Sequence, residues 1–178
     1  MLSSVPYGIK SFLIRALVIF SIWSLLYHLV LLPARIPDRQ LTYLTAQQTK
    51  FLLSFIYNAD SLQIMENQIL MVPKNIILYN NKRIIGIADG CNGLELYVLY
   101  LSFLLCFPTT LKKFMFFSII GLTIIFIANN FRCATIAMLN FNSSSLSEVA
   151  HHYVFKLLIY AIMFLLWMKY TKNRAIEA

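Results

Sequence analysis

Cys91 stands in Asp89-Gly90-Cys91-Asn92-Gly93, where a polar stretch gives way to a long apolar one. The thiolate is the reactive form of cysteine, and a helix N-terminus favours it. Arg132 and the pair His151-His152 stand at comparable edges of later apolar runs. A thiol, a permanent cation and a titratable base are the parts of a site that attacks a carbonyl carbon and stabilises the oxyanion that forms. In such a site His151 or His152 takes the thiol proton, and Arg132 holds the thiolate or the oxyanion. The backbone N–H groups of Asn92, Gly93 and Leu94 then supply an oxyanion hole. Gly90 and Gly93 leave room for a substrate backbone.

Each residue also has a plainer reading. Taken alone, Cys91 reads first as a structural thiol, Arg132 also as an interfacial anchor, and a histidine at the edge of an apolar run first as an interfacial side chain. Glu95 pairs with an arginine or caps a helix, Asp89 ends a strand, and Lys156 snorkels. Spacing alone leaves both sets of readings open. Cys106, deep in an apolar run, and Cys133, next to Arg132, read as packing residues. There is no C-x-x-C pair and no zinc-type spacing of His, Cys and Asp, so neither a metal nor another cofactor is expected.

The elements that must position these residues belong to a membrane. Of 178 residues, 60% are hydrophobic and 12% charged, against about 25% charged in soluble domains. The apolar residues fall in blocks, and the length allows one integral membrane domain over 1–178. The net charge of +8 gathers at the ends of the apolar blocks, where it anchors helices and sets orientation. A nucleic-acid partner, which would need basic residues interleaved with polar ones on a soluble face, is not expected.

Spans are expected at about 11–32, 92–109, 114–130 and 152–169. Pro33 and Pro37 end the first, where Arg15 can snorkel. Spaced apolar positions at Leu41, Leu44, Phe51, Leu52, Phe55 and Ile56 predict an amphipathic, interfacial helix within 38–57. Short β-prone runs over 61–90, with a turn at Asn80-Asn81-Lys82, predict a small hairpin unit of two or three strands that delivers Cys91. Residues 133–141 are too short to cross alone and read as a re-entrant helix or a continuation of the third span. The expected fold class is mainly α: a polytopic bundle of about four spans, an interfacial and a re-entrant helix, and a small extracytoplasmic β-hairpin unit.

The short basic turn Lys112-Lys113 places that end of the bundle in the cytoplasm, and Lys10, Arg15, Lys169, Lys172 and Arg174 agree. Residues 33–91 and 129–152 then lie outside the cytoplasmic membrane, with Cys91, Arg132 and His151 at its outer boundary. Arg35 and Arg39, close to a span, weigh against this orientation. An inverted topology would move the three residues together.

Three local patterns occur in a fixed order: Ala88-Asp89-Gly90 before Cys91-Asn92-Gly93-Leu94, then Asn129-Asn130-Phe131-Arg132, then His151-His152-Tyr153-Val154-Phe155. Together they resemble the exosortase/archaeosortase family of membrane-embedded cysteine transpeptidases, over residues 40–170. The resemblance implies an enzyme of the cytoplasmic membrane with its site on the outer face. It implies a substrate that is an exported protein with a C-terminal sorting signal, made of a short motif, a transmembrane helix and a basic tail. Cys91 would form a thioester, a histidine would act as acid and base, and Arg132 would stabilise charge. Asn92, Gly93 and Asn129 would position the oxyanion or substrate. Release by water would be proteolysis, and release by an amine, polysaccharide or lipid acceptor would be transfer. Tyr153 follows His151 by two residues, as the family motif has it, which favours His151 and leaves His152 as the alternative. Asn92 stands where the family often has serine or alanine, and the chain has the length of a minimal member. A different class of reading is a non-enzymatic scaffold or assembly subunit of an export or polysaccharide system. A small transporter subunit is disfavoured, because no span carries a line of polar residues through its middle.

Overall fold

The computed structural model describes residues 7–67, 74–107, 109–142 and 153–172. Helix α1 (Tyr7–Leu26) runs on through a π turn (Tyr27–Leu31) and a last turn (Leu32–Ala34). Ile9–Ala34 is long and apolar enough to cross a membrane, and none of its apolar window is buried inside the protein. Leu13, Ile14, Leu17 and Phe20 therefore point outward, as a lipid-facing helix requires. Arg35 ends the run in the left-handed conformation, φ 51°, unusual for a residue with a Cβ.

Helix α2 (Asp38–Leu53) is the expected amphipathic helix. The buried stripe is Asp38, Thr42, Thr45, Ala46, Thr49 and Leu53, at helical spacing. Tyr43, Leu44, Phe51 and Phe55 are exposed. Small and polar residues thus make the inner contact, and apolar side chains are presented outward.

Strands β1 (Leu62–Asn67), β2 (Lys74–Tyr79) and β3 (Lys82–Ala88) form an antiparallel sheet in that order. The β2–β3 turn is built from Asn80 and Asn81 at φ 49° and 62°, the positive values a two-residue hairpin needs. The register slips between Ile77 and Leu78, with Ile84 the extra residue on β3. This bulge lets both Ile84 and Ile85 turn inward, breaking the usual alternation.

After a 3₁₀ turn (Asp89–Cys91), α3 (Leu94–Cys106) begins. Its 13 residues span about 20 Å, short of a hydrocarbon layer of about 30 Å. Its far end is capped by side chains: Arg15 Nη1 donates to the Cys106 carbonyl at 3.3 Å, and Tyr170 OH donates to those of Leu104 and Phe107. Arg15, expected to snorkel, is thus fixed at a helix C-terminus.

Helix α4 (Leu111–Phe141) is continuous over 31 residues, about 46 Å, and is the second helix able to cross a membrane. The re-entrant reading of 133–141 is corrected here. The segment continues the helix, because Asn129, Asn130 and Arg132 are accommodated on buried faces rather than breaking it. The two halves of α4 serve different cores. Gly121 and Ile125 pack with Tyr100 and Leu104 of α3 and with Ile159 and Met163 of the last helix, α5 (Phe155–Lys172). Cys133, Ala134, Ile136 and Ala137 pack with Ala46 and Leu53 of α2 and with Leu62, Ile77, Ile84, Ile85 and Ile87 of the sheet. The site lies where these two cores meet.

Candidate active site

The loop carrying Cys91 is assembled from local rules first. Gly93 adopts φ +87°, a conformation other residues reach only with strain. Asn92 folds back so that its Oδ1 accepts the Leu94 N–H at 2.8 Å, satisfying one free donor of the helix start. The Asn92 N–H donates to the Asp89 carbonyl at 3.2 Å. Two of the three backbone donors expected to face an oxyanion are therefore engaged within the loop, and Asn92, 1% exposed, turns inward.

Three long-range ties hold this loop. From below α1, Arg35 Nε and Nη2 donate to the two Asp89 oxygens at 3.0 and 3.1 Å. From α2, Thr42 Oγ1 donates to Asp89 Oδ1 at 2.7 Å, and Asp38 Oδ1 accepts from Asn92 Nδ2 at 2.8 Å. Tyr27 OH donates to the other Asp38 oxygen at 3.0 Å. From α4, Asn129 Nδ2 donates to the Cys91 carbonyl at 3.0 Å.

Asn129 and Arg132 lie three residues apart on α4 and so share a face. Arg132 is 8% exposed. Its Nε has no hydrogen-bond partner, and among the described residues it makes no ion pair. Asn129 Oδ1 is likewise unpartnered. A buried donor and a buried acceptor left open on one helix face are costly in a finished structure, and both are available to a bound group.

Arg132 lines two cavities. One, of about 180 Å³, holds Cys91, Arg132 and Cys133 between β3 and α4, with Arg83 at its rim. A Cβ at Gly86 would come within 2.7 Å of Arg83 Nη2, so the bare glycine lets that guanidinium lie across the strand. The second cavity, of about 190 Å³, is bordered by Asp38, Asn92, Asn129, Arg132 and Glu95, and by Lys156 from the first turn of α5. Beside it an apolar cleft of about 630 Å³ runs between α1 and α3. The cleft shares Tyr27, Glu95 and Tyr160 with the polar cavity.

Five expected site residues are thus brought together: Cys91, Asn92, Gly93, Asn129 and Arg132. His151 and His152 lie outside the described residues. Sequence reasoning passed over Arg35, Asp38, Thr42 and Arg83. The available signal was the stripe of Asp38, Thr42, Thr45 and Thr49 at helical spacing in an otherwise apolar chain.

No curated protein and no solved structure matches the chain. A family model described as transmembrane exosortase, EpsH type, matches residues 8–168. That match takes in the Cys91 loop, the face of α4 that meets it and the head of α5, and the chain belongs to the transmembrane exosortase family.

Proposed function

We propose that the protein is a membrane-embedded cysteine peptidase or transpeptidase that cleaves the C-terminal sorting signal of exported proteins at the outer face of the cytoplasmic membrane. One observation carries this reading. Cys91 and Arg132, 41 positions apart in the sequence, line a common cavity, and the helix bearing Arg132 also holds the Cys91 backbone.

In the proposed reaction the Cys91 sulfur attacks the scissile carbonyl carbon as its proton passes to His151, with His152 the alternative base. The tetrahedral oxyanion rests against the Arg132 guanidinium, whose Nε is free to donate. Collapse breaks the C–N bond, the histidine returns its proton to the departing amine, and a thioester remains on Cys91. Water or an amine, polysaccharide or lipid acceptor then takes the acyl group and restores the thiol. Asn129 positions the Cys91 backbone, Gly93 permits the loop, and Asn92 acts through the loop rather than on the substrate. That Lys156, in the first turn of α5, borders the polar cavity supports drawing the base from the segment just before it.

The topology follows the same reading. With Lys112-Lys113 at the inner face, a hydrocarbon layer of about 30 Å takes up about 20 residues of α4. That places Asn129 and Arg132 at the outer boundary and the sheet with the end of α4 beyond it. α3 and α5 complete four crossings within one integral domain, α3 by meeting a locally thinned bilayer. The apolar cleft between α1 and α3 opens toward the polar cavity, which suits a substrate whose cleaved bond precedes a membrane helix.

The test is processing of an exported protein carrying such a tail, in cells making the wild type, Cys91→Ala or Arg132→Ala. Both variants should accumulate in membranes and leave the tail uncut, and the wild type should yield a thioester adduct on Cys91. Unimpaired processing by Cys91→Ala would return the protein to the scaffold class.

A further inference from the structure

The residues on either side of Gly90-Cys91 are both held from one place. Asp89 accepts from Thr42 and from Arg35, and Asn92 donates to Asp38, all within the corner formed by the end of α1 and the start of α2. Thr42 Oγ1 also lies 3.4 Å from Asn92 Nδ2, so one hydroxyl touches both flanking side chains. Asp38 is 2% exposed and Thr42 1%. Gly90 has nothing within 4 Å of its Cβ position, so the loop is not packed in place from that side. Arg35 reaches Asp89 from a left-handed backbone conformation. Strain of that kind persists where the surroundings over-determine it.

We propose that Asp38 and Thr42 are positioning residues for the thiol, acting on Cys91 through Asn92 and Asp89. Resting on the reading of Cys91 as the nucleophile, the assignment gives the first third of the chain a role in the site. The corner after α1 sets where the sulfur lies relative to the Arg132 and Arg83 guanidinium groups.

The test compares alkylation of Cys91 by iodoacetate and by iodoacetamide in the purified full chain, read by mass spectrometry of the Cys91 peptide. A thiol that shares a cavity with two guanidinium groups favours the anionic reagent, by about fivefold over free cysteine for one charge about 4 Å away even at the dielectric of bulk water. This ratio cancels general accessibility. The wild type should show the elevated ratio. Asp38→Ala should bring it to the free-cysteine value, and Asp38→Asn, which keeps an acceptor for Asn92, should restore it. The Asp38→Ala/Asn92→Ala double variant should match Asn92→Ala alone, as expected for residues acting in series. Cys133, 2% exposed, reports folding in the same molecules. If Asp38→Ala opens Cys133 to alkylation, Thr42→Val against Thr42→Ser decides, with the ratio lost in the first and kept in the second. An elevated wild-type ratio unchanged by Asp38→Ala or Thr42→Val overturns the positioning role. A wild-type ratio equal to free cysteine overturns instead the reading of Cys91 beside a cation.

Discussion

The Asn129 side-chain amide donates to the Cys91 carbonyl oxygen at 3.0 Å, across 38 residues of sequence. It joins the loop that ends the sheet to the helix that carries Arg132. Asn129→Ala should lower stability by about 1 kcal/mol through loss of one part-buried hydrogen bond. Asn129→Asp should cost more, since an acceptor then faces an acceptor. Thermal unfolding in detergent ranks the two, and sorting-signal cleavage should fall in both.

Arg132→Lys keeps a positive charge and removes the Nε donor. A lysine ammonium is a compact point charge on a flexible stem and does not reproduce a planar fork. Cleavage should drop by about 10²–10³ in both Arg132→Lys and Arg132→Ala, the scale of losing an oxyanion donor. Full activity of Arg132→Lys would show that charge alone suffices.

Gly93→Ala puts a side chain at φ +87°, 3.3 Å from Asn129 Nδ2 and from the Tyr97 hydroxyl. The backbone strain alone is worth about 1–2 kcal/mol. The variant should lose cleavage in proportion to its loss of loop geometry, seen as a changed alkylation rate at Cys91 with Cys133 still protected.

Gly121→Ala tests the bundle apart from the site. Its Cβ would collide with the Tyr100 ring, which is fully buried and donates its hydroxyl to the Phe117 carbonyl at 2.9 Å. Destabilisation of about 1–3 kcal/mol is expected from overpacking, measured as a lowered unfolding midpoint. The double variant Gly121→Ala/Tyr100→Phe should be no better than Gly121→Ala, because the clash involves ring atoms.

Asn80→Val places a β-branched residue at φ 49° in the β2–β3 turn. A cost of about 1–2 kcal/mol follows. Since β3 runs directly into the Cys91 loop, hydrogen exchange should quicken in β2 and β3 before α3 and α5.

Much of the site was legible in local sequence. A cysteine after Asp-Gly at the head of an apolar run, and an arginine after two asparagines, stood out because polar residues are rare in such surroundings. The twin asparagines also misled. In a linear reading they interrupt an apolar run, whereas on a helix Asn129, Arg132, Cys133 and Ile136 fall on one side, which meets the sheet and the loop. Arg35 read as a charge that votes on orientation, and it is paired with Asp89. The threonines of α2 drew no reading in the linear sequence, and they form its inner face.

By itself the sequence determined the apolar lengths and the asparagine turn between β2 and β3, because each depends on residues within a few positions of one another. Tertiary structure alone decided that Cys91 and Arg132 share a cavity, that 133–141 extends α4, and that Asp38 and Thr42 grip the cysteine loop. The shared cavity and the grip follow from hydrogen bonds between residues 38 to 54 positions apart, and the extension of α4 from the packing of its second half against α2 and the sheet. Hydrophobic periodicity marks which side of an element leaves water and carries no term for whether lipid or protein covers it.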